Sequence, residues 1–274
     1  SALTVIDFIG NHRSFLLKPR TLLSLGSRTA PTTLQVLMAL ENKDFHLPPG
    51  CSVDYDLTVV EMLRALSRST SRDAIEDYCR SYMEEEGLRP TAAQAFRAGH
   101  DPAVLRGKYG SWFEFLHAID LLGERESQAT EVHGNALRAL QVEPITKSYK
   151  LVTVRALLHD GVLRSGDDIA HNAETSRRIL LSDPRLARDI PSKEFPNLAE
   201  ADPKAWMQYW RKWPIAHLTG EGSSSRTNAL FSVDADRIIP TFSVDDALGD
   251  VFDSMVAEII EYGLARYVIA KDAA

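Results

Sequence analysis

The chain has almost no cysteine. Cys51 and Cys79 are the only two among 274 residues, with no C-x-x-C pair and no cysteine–histidine cluster. This leaves no basis for a disulfide framework or a structural zinc site, and a reducing cytoplasm is the expected compartment. Long apolar runs are missing as well. None approaches the roughly 18 residues of a membrane helix, and no signal-peptide pattern opens the chain, so no membrane partner is expected. The sequence also lacks G-x-x-x-x-G-K-[ST], G-x-S-x-G and H-E-x-x-H, so it holds no loop that cradles a triphosphate, no nucleophile elbow and no zinc-protease helix. Its eight histidines stand singly, with no i, i+4 pair among them. Enzymatic activity and a bound cofactor are therefore not expected of these residues.

What is present is an ordinary globular composition, 44% apolar and 25% charged, with a net charge of −7. The charge is unevenly spread: +3 over residues 1–43, −6 over 44–86, +2 over 87–164, zero over 165–213 and −6 over 214–274. Any phosphate-facing surface must come from the two positive stretches or from the basic end of 204–212, and its affinity would fall steeply with salt.

The most informative stretch runs from Gly87 to Leu116. Thr91 follows Pro90 as an N-cap, and the helix it opens ends at Gly99. A second short helix opens at Ser111 and buries Trp112, Phe113, Phe115 and Leu116. Arg89, Arg97, Arg106 and Lys108 lie around these turns, the arrangement by which small helix-turn-helix modules meet DNA. A plain helical hairpin with core aromatics and solvated arginines fits the same residues. Further on, Thr146 is placed to cap a helix over Lys147–His159, with Lys147 and Lys150 as a second basic corner. The candidate DNA contacts are Arg89, Arg97, Arg106, Lys108, Ser111, Lys147 and Lys150.

The remainder reads as mainly α. Leu3–Ile9 forms an apolar, β-prone run. Helices are predicted over 15–25, 31–42, from Asp56, over Ser71–Glu86 and over Glu124–Gln141, with a short edge strand at Cys51–Tyr55. Another helix begins at Asp167, Asp168 and Ile169 and runs toward Leu181. Pro184–Pro203 is irregular. Lys204–Trp213 is a helix with Trp206, Tyr209, Trp210 and Trp213 on one stripe. Gly220–Ser225 is a flexible loop. A β-hairpin is expected at Ala229–Val244, and the last helix repeats Leu248, Phe252, Met255, Ile259 and Tyr262 as a packed seam. Asp202-Pro203-Lys204 has the spacing of a nuclease (D/E)-x-K tail, but Pro203 breaks the strand that signature needs. Asp234, Asp236, Asp245 and Asp246 could hold a metal, but they stand where a turn and a cap require Asp anyway.

Several phrases resemble the C-terminal region of large bacterial superfamily 2 (DEAD/DEAH-box) helicases of the restriction and phage-defence type. These are Leu3–Asn11, Leu47–Val53, Gly110–Phe113, Thr146–Lys150, Trp213–Ile215 and Glu258–Tyr267. The first resembles the strand that closes the second RecA-like lobe. The Arg89-Pro90-Thr91 to Trp112 stretch also resembles a small helical DNA-binding repeat attached to homing-type nucleases. The resemblance implies three segments: 1–11 as the terminal strand of an upstream lobe, 12–143 as a helical domain with a helix-turn-helix-like hairpin, and 144–274 as a helical domain with a β-hairpin and closing helix. It implies a DNA-positioning accessory region beside an ATP- and Mg-dependent motor whose own motifs lie elsewhere. The rival function is a protein-interaction module, docking a nuclease or other defence protein through the tryptophan-rich helix and the last helix. A nuclease is the third.

Overall fold

A computed structural model describes residues 71–143, 145–221 and 229–272. The elements expected over residues 3–66 and most of the Gly220–Ser225 loop lie outside these residues. Contacts divide the chain into Ser1–Ala74 and Ile75–Ala274, and the account below concerns the second unit. It is mainly helical with one small antiparallel sheet. It is one compact unit.

Helix α1 (Ser71–Glu86) buries Ile75 and Cys79. Helix α2 (Ala92–Arg97) opens on a full capping box: the Gln94 amide donates to Thr91 Oγ1 at 3.2 Å, and the Thr91 amide donates to Gln94 Oε1 at 2.7 Å. The joint that follows is more than the expected turn. Asp101 and Pro102 start a 3₁₀ turn over Pro102–Leu105, and the short α3 (Arg106–Tyr109) comes directly after it. Ser111 then caps α4 (Trp112–Ala118), whose Trp112, Phe113, Phe115 and Leu116 are all buried. Helix α5 spans Glu124–Val142.

Helix α6 (Tyr149–His159) begins two residues later than expected. Ser148 takes the cap position instead of Thr146, and its hydroxyl donates to the Leu186 carbonyl at 2.7 Å rather than capping the helix. Strand β1 (Asp167–Asp168) was not foreseen. Only Asp168 belongs to the start of α7 (Ile169–Ser182), where it accepts from the amides of Ala170 and His171. Two polar residues carry no alternation to signal a strand, and partnering with a distant hairpin makes it one.

Helix α8 (Pro203–Trp210) also differs from its expected extent. It passes into a π turn over Arg211–Ile215, and α9 (Ala216–Leu218) follows. Pro214 has no amide hydrogen to continue the α ladder, so the turn widens and the helical phase slips. Trp206, Tyr209 and Trp210 stay buried, whereas Trp213 is turned out to 42% exposure and stacks on His217. The expected hairpin is β2 (Phe231–Asp234) with β3 (Arg237–Pro240), and sheet order is β1-β3-β2. Asp245 stands at the N-cap position of a 3₁₀ turn (Asp246–Leu248) without a side-chain cap bond, and the turn leads into α10 (Gly249–Asp272).

Helix α10 is the element on which the others converge. It packs on α2, α5 and α6, and buries Phe252, Met255, Ile259 and Tyr262. Among the described residues no helix is long and apolar enough to cross a membrane.

Candidate functional site

The basic residues of the Gly87–Leu116 stretch face two different environments. Arg89 lies inside. Its guanidinium meets Glu126 at 2.5 Å and Glu258 at 3.0 Å, and stacks over Phe113. Glu258, 9% exposed, also accepts from Trp112 Nε1 at 2.6 Å and from the Ala92 amide at 2.8 Å. One buried carboxylate thus ties the starts of α2 and α4 to α10. Burial alone would raise the Glu126 carboxyl. The hydrogen bond and charge of Arg89, with the Gly123 amide, outweigh it and hold the group below its ordinary value.

Ser111 is buried, and its hydroxyl is spent accepting from the Glu114 amide. The Trp112 amide is taken by Gln141 Oε1 at 2.9 Å. The Glu114 carboxylate pairs with Arg138 beside Gly110. This short helix start therefore offers an anion little beyond what the protein already supplies. Gly110, at a φ of +92°, makes the turn that L side chains resist. Arg106 donates to the Gln141 carbonyl at 3.1 Å. Lys150 pairs with Glu143, and Arg97 with Glu261 at 3.1 Å. Lys108 and Lys147 remain exposed, each over the ring of a neighbouring tyrosine, Tyr109 and Tyr149. The seven sequence-chosen residues do not converge on one face: Arg89 and Ser111 are structural, Arg106 is half-buried, and Arg97 belongs to a different surface.

That surface is an open groove of about 630 Å³ along α10. Its floor is Leu158 of α6 with Ile260, Leu264, Val268 and Ile269 of α10. Ile269 is 50% exposed. Arg97, Arg155, His159 and Arg185 stand around it, with Glu261 and Asp183 between them. Arg185 pairs with Asp183 at 2.8 Å. That bond comes first among the causes holding the Asp183 carboxyl below its ordinary value; the charge of Arg155 adds to it. Among the described residues the side chains of Arg155 and His159 make no hydrogen bond or ion pair, though the charge of Arg155 acts on Asp183.

The last helix and the tryptophan-rich helix were the surfaces expected to dock a partner; in the second of these Trp206 and Trp210 are core and Trp213 is exposed. Arg155, His159 and Arg185 were not singled out from the sequence. Arg155 and His159 are four residues apart on α6, a helical spacing that would have placed them on one face. Nothing in the sequence brings Arg185 to them. Compared with protein-family models, curated proteins and solved structures, the chain matches none.

Proposed function

We propose that this region is a docking module that receives an amphipathic helical segment of a partner protein in the α10 groove. One observation carries the reading: a groove along α10 whose floor runs from buried Ile260 and Leu264 through half-buried Val268 to exposed Ile269, with Arg97, Arg155 and Arg185 around it. Exposed apolar surface rimmed by charge marks an interaction site, and a helix laid in a groove is the commonest way to cover it. The floor runs from Ala257 to Ile269, about 18 Å at 1.5 Å per residue, which a partner helix of three to four turns would span. Arg97 and Arg185 are paired with Glu261 and Asp183, and Arg155, without an ion pair among the described residues, favours an acidic residue on that helix. In the setting implied by the helicase resemblance, the partner is a nuclease or other defence protein held beside the motor.

DNA positioning is the second reading, and the exposure of Lys108 and Lys147 favours it. One titration separates the two. The full chain is titrated with a labelled helical peptide of about 16 residues, with leucines a turn apart and glutamates beside them. It is also titrated with labelled duplex DNA at several salt concentrations. The peptide should bind, and Arg155→Glu with Ile269→Asp should weaken it by about tenfold or more. DNA binding lost with Lys108→Ala and Lys147→Ala, its log–log salt slope flattened by roughly 2, together with no peptide binding, would replace docking with DNA positioning.

A further inference from the structure

Helix α6 ends at His159 with Asp160 as its C-cap residue, and the chain turns through Gly161 and Gly166 into β1. Gly166 has a φ of +77°, and a Cβ there would lie 2.5 Å from the Ile238 carbonyl oxygen, so only glycine lets the turn close on β3. This closure sets Asp167 at the strand and His171 in the first turn of α7. His171 Nδ1 lies 3.1 and 3.0 Å from the two oxygens of Asp167, and 3.8 Å from Asp160 Oδ2. One ligand atom from each of the three residues lies within 4.8 Å of the others.

The Asp160 oxygen is a second and separate observation. Asp160 Oδ2 is buried and accepts no hydrogen bond among the described residues. A buried carboxylate oxygen without a donor is costly and needs a counterpart. His171 does not supply it: a single Nδ1 hydrogen cannot point at both Asp167 oxygens and also reach 3.8 Å to Asp160. The nearby cation does not supply it either, because Arg237 donates to the carbonyls of Ser165 and Gly166. Asp168 is occupied with the α7 amides. Two carboxylates therefore face one imidazole, with no lysine or arginine pairing to them among the described residues.

We propose that Asp160, Asp167 and His171 bind one divalent transition-metal ion of the zinc class. Ligands about 2.1 Å from a tetrahedral ion stand about 3.4 Å from one another. The 3.0 and 3.8 Å separations bracket that distance. An imidazole nitrogen beside two carboxylates favours zinc or manganese over magnesium or calcium, which prefer oxygen alone. Three protein ligands leave a position for water, and His171, with its side chain 52% exposed, puts that position at the surface. The ion would neutralise the Asp160 oxygen and clamp the end of α6 to β1 and α7.

The full chain, stripped with chelator, is titrated calorimetrically with zinc chloride, and with magnesium chloride as control. One zinc per chain is expected, with no magnesium heat. Asp160→Asn and His171→Ala should each weaken zinc by more than about tenfold. Cobalt in place of zinc should give a visible absorption band that both variants lose. His171→Ala also removes a partner of buried Asp167, so each protein is compared with its own chelated form: zinc should raise the melting temperature of the wild type and leave that of His171→Ala unchanged. Absence of zinc binding by the wild type, or zinc binding kept by both variants, would overturn the site.

Discussion

At the residue scale, one of the basic residues chosen by sequence for DNA, Arg89, is firmly tied down, while Lys108 and Lys147 stay exposed. Arg89 stands beside a helix start, where a phosphate contact is expected, yet its partners are Glu126, 37 residues away, and Glu258, 169 away. Spacing along a helix cannot reveal a partner that distant. Removing one side of such a buried pair leaves a charge without compensation. Glu258→Ala should lower stability by about 3–5 kcal/mol in urea unfolding, far more than the loss of an exposed pair such as Arg97–Glu261. The lowered Glu126 carboxyl gives a pH dependence. Its contribution is present above the ordinary glutamate value of 4.5 and is lost as pH falls through the lower, folded-state value. Wild type should thus lose stability in acid more steeply than Glu126→Gln, as read by urea midpoints across pH 2–6, a range of roughly two units on either side of that value.

At the scale of elements, the caps were the most legible features. Thr91 and Ser111 act locally, through side chains that accept from amides three residues on, so the sequence carries the whole interaction, whereas the cap expected at Thr146 is displaced to Ser148. The seam of α10 was legible for the same reason, since its apolar period is its own. Strand β1 and the π turn were not. The first exists because β3 lies beside it, and the second because one proline meets a packed aromatic helix. The tryptophans make this difference measurable. Trp112→Ala should cost about 3–5 kcal/mol, because it empties a fully buried position and strips a donor from Glu258. Trp213→Ala should change stability by no more than about 0.5 kcal/mol, because the π turn has already turned the ring to solvent. Equal losses in denaturant unfolding would mean that the aromatic stripe remains in phase through Trp213.

At the scale of the whole unit, α10 supplies partners to α5 and to the loops that flank α2, α6 and α7. Asp250 meets Arg125, Asp253 meets Arg164, Glu258 meets Arg89, Tyr262 donates to Asp101, and Tyr267 and Lys271 both donate to Asp189. An element so placed has no route to open alone. Amides of residues 255–264 should exchange only through global unfolding, so their protection should give the same free energy as urea unfolding. Protection lower by several kcal/mol would show that α10 undocks as a separate piece. The groove site was legible only in part. The last helix was expected as a candidate docking surface, but the arginines around the groove come from α2, α6 and the turn after α7, and only the folded chain gathers them.

The position of α10 in the order of synthesis has its own result. The core cannot close until residues 249–272 have left the ribosome, because they provide the counter-charge for Arg89, the acceptor for Trp112 and the apolar wall for α5. Contacts separated by more than a hundred residues also slow closure. Earlier helices emerge with Phe113, Phe115 and Leu116 unsheltered, a period in which a chaperone has most to hold. A nascent chain stalled at Gly249 should be cut readily by a protease between Ala92 and Val142, and one released with residues 249–272 outside the exit tunnel should resist.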